Sequence, residues 1–181
     1  MEIEQVLKFR SSIRKYNEKM PSAEIIQKVI DSALLAPIVS LHNFQINVVT
    51  NKEIMQCAEK AAKAFFKSDS DKKFMYNAPV WIILSGEKHN DEDLHARELL
   101  NNNLYWNVGS IIECMELQAV PLGLASCAMN ATIVSMTPEI KKSIGIPENF
   151  TALGSIIVGY NDDAKTERVV KPNLIPVSYV K

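Results

Sequence analysis

Asn77-Ala78-Pro79-Val80-Trp81-Ile82-Ile83-Leu84 is the stretch from which the fold is read. A turn-favouring asparagine and a proline lead into five consecutive apolar residues, mostly β-branched or aromatic. A run this short predicts a buried strand.

Working outward, strands and helices are interleaved. Upstream, Phe44, Ile46 and Val48 alternate with Gln45, Asn47 and Val49, which predicts a second strand. From Ser22 to Leu35 the apolar positions Ile25, Ile26, Val29, Ile30, Ala33 and Leu34 make a helical stripe. Pro21 suits its first turn and Pro37 marks its end. Thr50-Asn51-Lys52-Glu53 has the spacing of a capping box before another helix. Downstream, the polar stretch 86–93 predicts a loop, and His95 to Asn103 a short or partly ordered helix where substrate access is expected. Val108, Ile111, Ile112, Met115 and Ala119 predict a strong helix from Val108 to Ala119, broken by Pro121-Leu122-Gly123-Leu124. Asn107 reads as a cap for that helix. Thr137-Pro138-Glu139 opens a short helix, with a hydroxyl cap, a first-turn proline and an early carboxylate; Gly145-Ile146-Pro147 closes it. Ser155-Ile156-Ile157-Val158 predicts a third strand and Val177-Ser178-Tyr179-Val180 a last one. The pattern is α+β, a sheet packed by helices. It has no repeat or linker, and the expectation is a single domain over 1–181.

Composition narrows the function. The chain has 181 residues, of which 47% are hydrophobic and 23% charged, an ordinary globular balance. Twenty basic residues nearly cancel 21 acidic ones, for a net charge of -1. A global attraction to nucleic acid or to an anionic membrane is therefore not expected. No long apolar run spans a bilayer, and no secretory start is read. Cys57, Cys114 and Cys127 form neither a metal spacing nor an even disulfide set, and His42, His89 and His95 add no metal pattern. The expectation is a cytoplasmic protein with reduced thiols and no metal centre.

The chemically suggestive segment is Arg10-Ser11-Ser12-Ile13-Arg14. Two guanidinium forks and two hydroxyls in five residues can cradle a phosphate; they can equally form a solvated turn. Read together with Lys15-Tyr16, Leu35-Ala36-Pro37, Asn77-Ala78-Pro79, Gly109, Gly123-Leu124-Ala125-Ser126-Cys127, Gly145-Ile146-Pro147-Glu148 and Gly154 through Gly159-Tyr160, the segment falls into a series. In order and separation, these blocks resemble the nitroreductase family of FMN-dependent flavoproteins across nearly the whole chain.

That resemblance implies a central, mainly antiparallel sheet packed by helices. It implies an intertwined homodimer, with FMN enclosed at the subunit interface. The implied activity is two-electron transfer from NADH or NADPH to FMN, then to a nitroaromatic, quinone or related small acceptor. Residue by residue, Arg10, Ser12 and Arg14 match positions that hold the FMN phosphate and ribityl chain, with Ser11 adjacent. Arg168 is the best match to a basic tail residue that closes over the phosphate, with Lys165 and Lys171 as alternatives; a surface charge is the plainer reading. Pro37, Ile38 and Val39 fall in the block after the first helix, where Ile38 and Val39 can flank the flavin. Asn43 either bonds a polar ring edge or caps a turn, and His42 is a further polar contact or an exposed loop residue. Relatives often carry small hydroxyls and a Gln-Pro-Trp-like run where this chain has residues 38–45, so acceptor class and turnover are open at this block. Gly123-Leu124-Ala125-Ser126 matches a loop near the flavin, where Gly123 lets backbone approach and Leu124 covers apolar ring surface; a plain helix end is the other reading. No residue is assigned as catalytic acid or base. Acceptor choice is expected from residues 90–106 and the partner chain. The alternative function is a flavin-binding protein with a storage, sensing or interaction role and little turnover.

Overall fold

The computed structural model describes residues 1–39, 43–69, 71–163, 166–169 and 175–180. Four strands form one sheet in the order β1-β2-β4-β3: β1 (Phe44–Val49), β2 (Val80–Glu87), β3 (Ala125–Ala128) and β4 (Phe150–Gly159). Every neighbouring pair is antiparallel. The fold is α+β with an antiparallel sheet between two helical layers, as expected.

The apolar run in β2 explains the layering. Val80, Ile82 and Leu84 pack with Val29 and Ala33 of α2 (Ala23–Ala33) and with Ile111, Met115 and Ala119 of α4 (Leu94–Ala119). The intervening Trp81 and Ile83 face Met55, Ala58 and Ala62 of α3 (Lys52–Phe65), Ile133 of α5 (Ala131–Val134) and Ile140 of α6 (Pro138–Ile144). Alternate side chains of one strand thus enter two cores. On β4, Gly154 lets α4 come close, since a Cβ there would lie 2.7 Å from Ile112 Cδ1.

Several local expectations are corrected. Ser22 does cap α2, accepting from the Ile25 amide, but Pro21 precedes the cap and the helix ends at Ala33. In α3 the cap is Asn51, accepting from the amides of Glu53 and Ile54, instead of Thr50. β2 runs into the supposed loop as far as Glu87. The two helices expected at 95–103 and 108–119 are one helix of 26 residues, capped by Asp93. Asn107 therefore sits in mid-helix and caps nothing. Ala125–Ala128 is a strand where a loop was expected, and α1 (Ile3–Phe9) precedes the Arg-Ser run. Val177–Val180 forms no strand, and those residues are exposed. The start of α6 is as read: Thr137 accepts from the Ile140 amide, Pro138 follows, and Gly145 closes the helix at φ 82.

Candidate functional site

Residues 10–16 leave α1 as an extended strap laid along the free edge of β3. Ser12 pairs with Ser126 in a parallel bridge, and the Ile13 amide donates to Ser126 O at 2.9 Å. The buried Tyr16 hydroxyl donates to Ile13 O at 2.8 Å, and burial raises its pKa. On the far side the strap is tied to the chain leaving β4. Asn161 Nδ2 donates to Lys15 O at 2.7 Å, and Lys15 Nζ stands 2.8 Å from Asp163 Oδ1. That ion pair is exposed and screened by water, so it ties down the strap more than it stabilises the fold.

A cavity of about 330 Å3 opens between this strap, the end of α4 and β3. Ser11, Ser12, Arg14, Gly123 and Leu124 all line it, so five expected site residues converge. Gly123 holds φ 76 just after α4, a conformation that disfavours a Cβ, and the Leu124 amide returns to Ala119 O at 2.9 Å. Arg14 is exposed and, among the described residues, has no carboxylate ion-pair partner. Arg168 reaches the neighbourhood: its amide donates to Lys8 O at 2.8 Å and its Nη1 to Arg10 O at 3.3 Å. Thr166 of the same tail lines the cavity. Lys165, Lys171 and His42 lie outside the described residues.

Arg10 is placed differently. Its guanidinium turns toward α4, with Nη1 3.6 Å from Glu116 Oε2 and Nε 3.7 Å from Glu113 Oε1. Glu116 is buried, and desolvation raises its pKa, opposed in part by Arg10. Sequence reasoning missed Glu116. The available signal was a carboxylate directly after Met115, at the border of the apolar stripe Val108, Ile111, Ile112, Met115 and Ala119. Ala125 and Ser126, which continue the Gly123-Leu124 block, line the cavity too, as do Asn161, Asp163 and Thr166, which were not singled out.

The second group of expected contacts lies elsewhere on the chain. Asn107 is 1% exposed; its Oδ1 accepts from the Val39 amide at 2.8 Å and its Nδ2 donates to Val39 O at 2.9 Å. This clamp fixes Pro37, Ile38 and Val39 beside the middle of α4. Asn43 instead donates to Glu87 Oε2 at 3.0 Å, and its carbonyl accepts from the Glu87 amide at 3.2 Å. Hydrogen bonds from Asn43 and Asn149 hold the Glu87 carboxyl below its usual range. None of these four residues lines the strap cavity. Asn107 and Val120, the residue that caps α4, lie thirteen positions apart, about 20 Å at 1.5 Å per residue.

The cavity presents hydroxyls, the Arg14 guanidinium and an apolar wall, a donor set that suits a phosphorylated, partly apolar ligand. Its volume is at the small end of ligand sites, about 300–1,000 Å3, so it fits the phosphate and ribityl part of FMN better than the whole molecule.

Solved structures share this fold. A nitroreductase with bound FMN from Desulfitobacterium hafniense DCB-2 superposes with a TM-score of 0.83 at 23% identity, over 100% of both chains. One from Bacteroides fragilis NCTC 9343, also with bound FMN, gives 0.76 at 25% identity, over 99% of this chain and 100% of that one. A BluB-like flavoprotein from Clostridium difficile 630 gives 0.75 at 20% identity, over 100% of both. No curated protein matches the chain significantly. The model of the nitroreductase family matches residues 7–160, a span that includes the strap, the α4 clamp and the whole sheet, and the chain therefore belongs to the nitroreductase family.

Proposed function

We propose that this chain is an FMN-dependent oxidoreductase. It takes two electrons from NADH or NADPH and passes them to a small acceptor such as a nitroaromatic or a quinone. The observation that carries this reading is the convergence of Ser11, Ser12 and Arg14 with Gly123 and Leu124 around one cavity. FMN supplies the redox chemistry when bound. The chain's residues bind and orient it. Arg14 and the Ser12 hydroxyl hold the phosphate, Arg168 approaches from the tail, and the Gly123–Leu124 turn offers backbone and an apolar wall.

The whole chain, 1–181, is read as one such domain, working as a homodimer. Asn107, which clamps Val39, and Val120 in the cavity wall are offset by about 20 Å along α4, which supports a site completed by a second chain. A second copy brings Pro37, Ile38, Val39 and Asn43 to the first copy's cavity. Exposed apolar residues around that block support pairing: Leu35 is 83% and Trp106 75% exposed, with Leu34, Ile38 and Val39 nearby in sequence or contact. Among the described residues no helix is long and apolar enough to cross a membrane.

Anaerobic mixing of the FMN-loaded protein with NADH or NADPH tests the reading. Bleaching of the flavin absorption, followed by acceptor-driven reoxidation, is expected. Bound FMN that neither nucleotide reduces supports the second reading, a flavin-binding protein with little turnover. The apolar pair Ile38-Val39 motivates that reading, because it stands where relatives often carry small hydroxyls.

A further inference from the structure

Arg10 lies between Phe9 and Ser11, which both line the strap cavity, yet its guanidinium is engaged by Glu113 and Glu116. Glu113 is half exposed; Glu116 is 4% exposed, the one charged residue in the buried set among the described residues. Ser126 Oγ donates to Glu116 Oε1 at a long 3.5 Å, and the Ala128 backbone adds a hydrogen bond. The charged or titratable groups that act on this carboxyl are Arg10 on the strap, Glu113 on its own helix, Cys127 on β3 and Tyr16 at the end of the strap. Arg14 acts on Cys127 and Tyr16. Arg14 and the Lys15–Asp163 pair line the cavity itself, while in the cluster behind it two carboxylates stand against the one Arg10 guanidinium, beside a proposed ligand group that carries about two negative charges. A buried charge is poorly screened, so repulsion reaches the ligand.

We propose that Glu116 is the counter-ion from which an incoming phosphate must draw Arg10, so that Glu116 sets the affinity of the cradle and links phosphate binding to proton uptake. The proposal rests on the reading of the cavity as an FMN phosphate site. When the phosphate engages Arg10, Glu116 is left buried beside less positive charge. Its pKa, already raised by burial, rises further, and its carboxylate takes a proton from solvent. No covalent bond other than that O–H changes. The sign follows directly: the neutral form of residue 116 favours the phosphate, and the charged form opposes it.

The test is equilibrium titration of the flavin-free full chain with FMN and with riboflavin, which lacks the phosphate, using wild type, Glu116→Gln and Glu113→Gln. At about pH 8 the FMN phosphate is already a dianion, its second ionisation lying near pH 6. There Glu116→Gln is expected to bind FMN about three- to ten-fold more tightly than wild type, with riboflavin affinity unchanged. The gap narrows as pH falls, because the wild-type carboxyl then protonates. Glu113→Gln shifts FMN affinity the same way by less than about two-fold, since its side chain is exposed to water. Weaker or unaltered FMN binding by a folded Glu116→Gln overturns the proposal, as does an equal change for riboflavin, which marks a structural role. If Glu116→Gln does not fold, calorimetry of wild type in buffers of different ionisation enthalpy decides. Proton uptake on FMN binding at about pH 8 supports the proposal, and no uptake overturns it. Wild type that binds FMN no better than riboflavin sinks the cradle reading itself, and this proposal with it.

Discussion

Arg14 presents a guanidinium to the cavity and, among the described residues, has no carboxylate set against it, unlike Arg10. Replacing it removes a charge-assisted donor without opening a core, because the side chain is exposed. Arg14→Ala is expected to raise the FMN dissociation constant about ten-fold or more, as loss of about 1.5–3 kcal/mol of charged hydrogen bonding implies. Thermal unfolding of the flavin-free protein should shift by only about 2 °C or less, the effect of a surface change of about 0.5 kcal/mol. Unchanged FMN affinity removes Arg14 from the site. At this scale the sequence was informative where the motif is local. Ser11, Ser12 and Arg14 lie in one extended stretch, and Gly123 and Leu124 in one turn, so each group arrives together. The direction of Arg10 was not legible, because it is set by Glu113 and Glu116, a hundred residues away on α4.

α4 shows how an element escapes local reading. Asn101-Asn102-Asn103 and Gly109 look like interruptions, yet the helix runs from Leu94 to Ala119. Tertiary packing overrides weak propensity here: Leu104, Val108, Ile111 and Met115 are buried, and Asn107 finds both its partners on Val39. Asn107→Ala should cost about 1–3 kcal/mol, because it removes both hydrogen bonds that the buried Asn107 side chain makes to the Val39 backbone. That corresponds to a fall in unfolding temperature of about 3–10 °C for a chain of this size. Hydrogen exchange at the Val39 amide should speed up at the same time. If exchange at Val39 is unchanged, the clamp does not hold the 37–39 block. The expected strand at Val177–Val180 does not form. Ser12 bridges Ser126 on the outer edge of β3, and residues 177–180 pair with none of the four strands. β3 itself was hidden because Ala125–Ala128 is short and follows a helix-ending glycine.

For the whole molecule, the three layers followed from alternation in β2, where successive side chains enter opposite cores. The relation between the strap cavity and the Val39 clamp did not follow, since nothing local in the sequence sets the distance along α4. That separation leads to a definite expectation for assembly. The FMN-loaded protein should have the molar mass of two chains in solution, about twice 20.3 kDa. Diluting it until it dissociates should release flavin. A monomer that keeps FMN fully bound contradicts the shared-site reading.

The most direct measurement is a crystal structure of the protein grown with FMN. The phosphate should lie within hydrogen-bond distance of the Ser12 hydroxyl and the Arg14 guanidinium, with the ring running past Gly123 and Leu124 toward residues 37–39 of a second copy. FMN bound with its phosphate away from the strap, or a strap cavity closed by the protein's own side chains, would contradict the account.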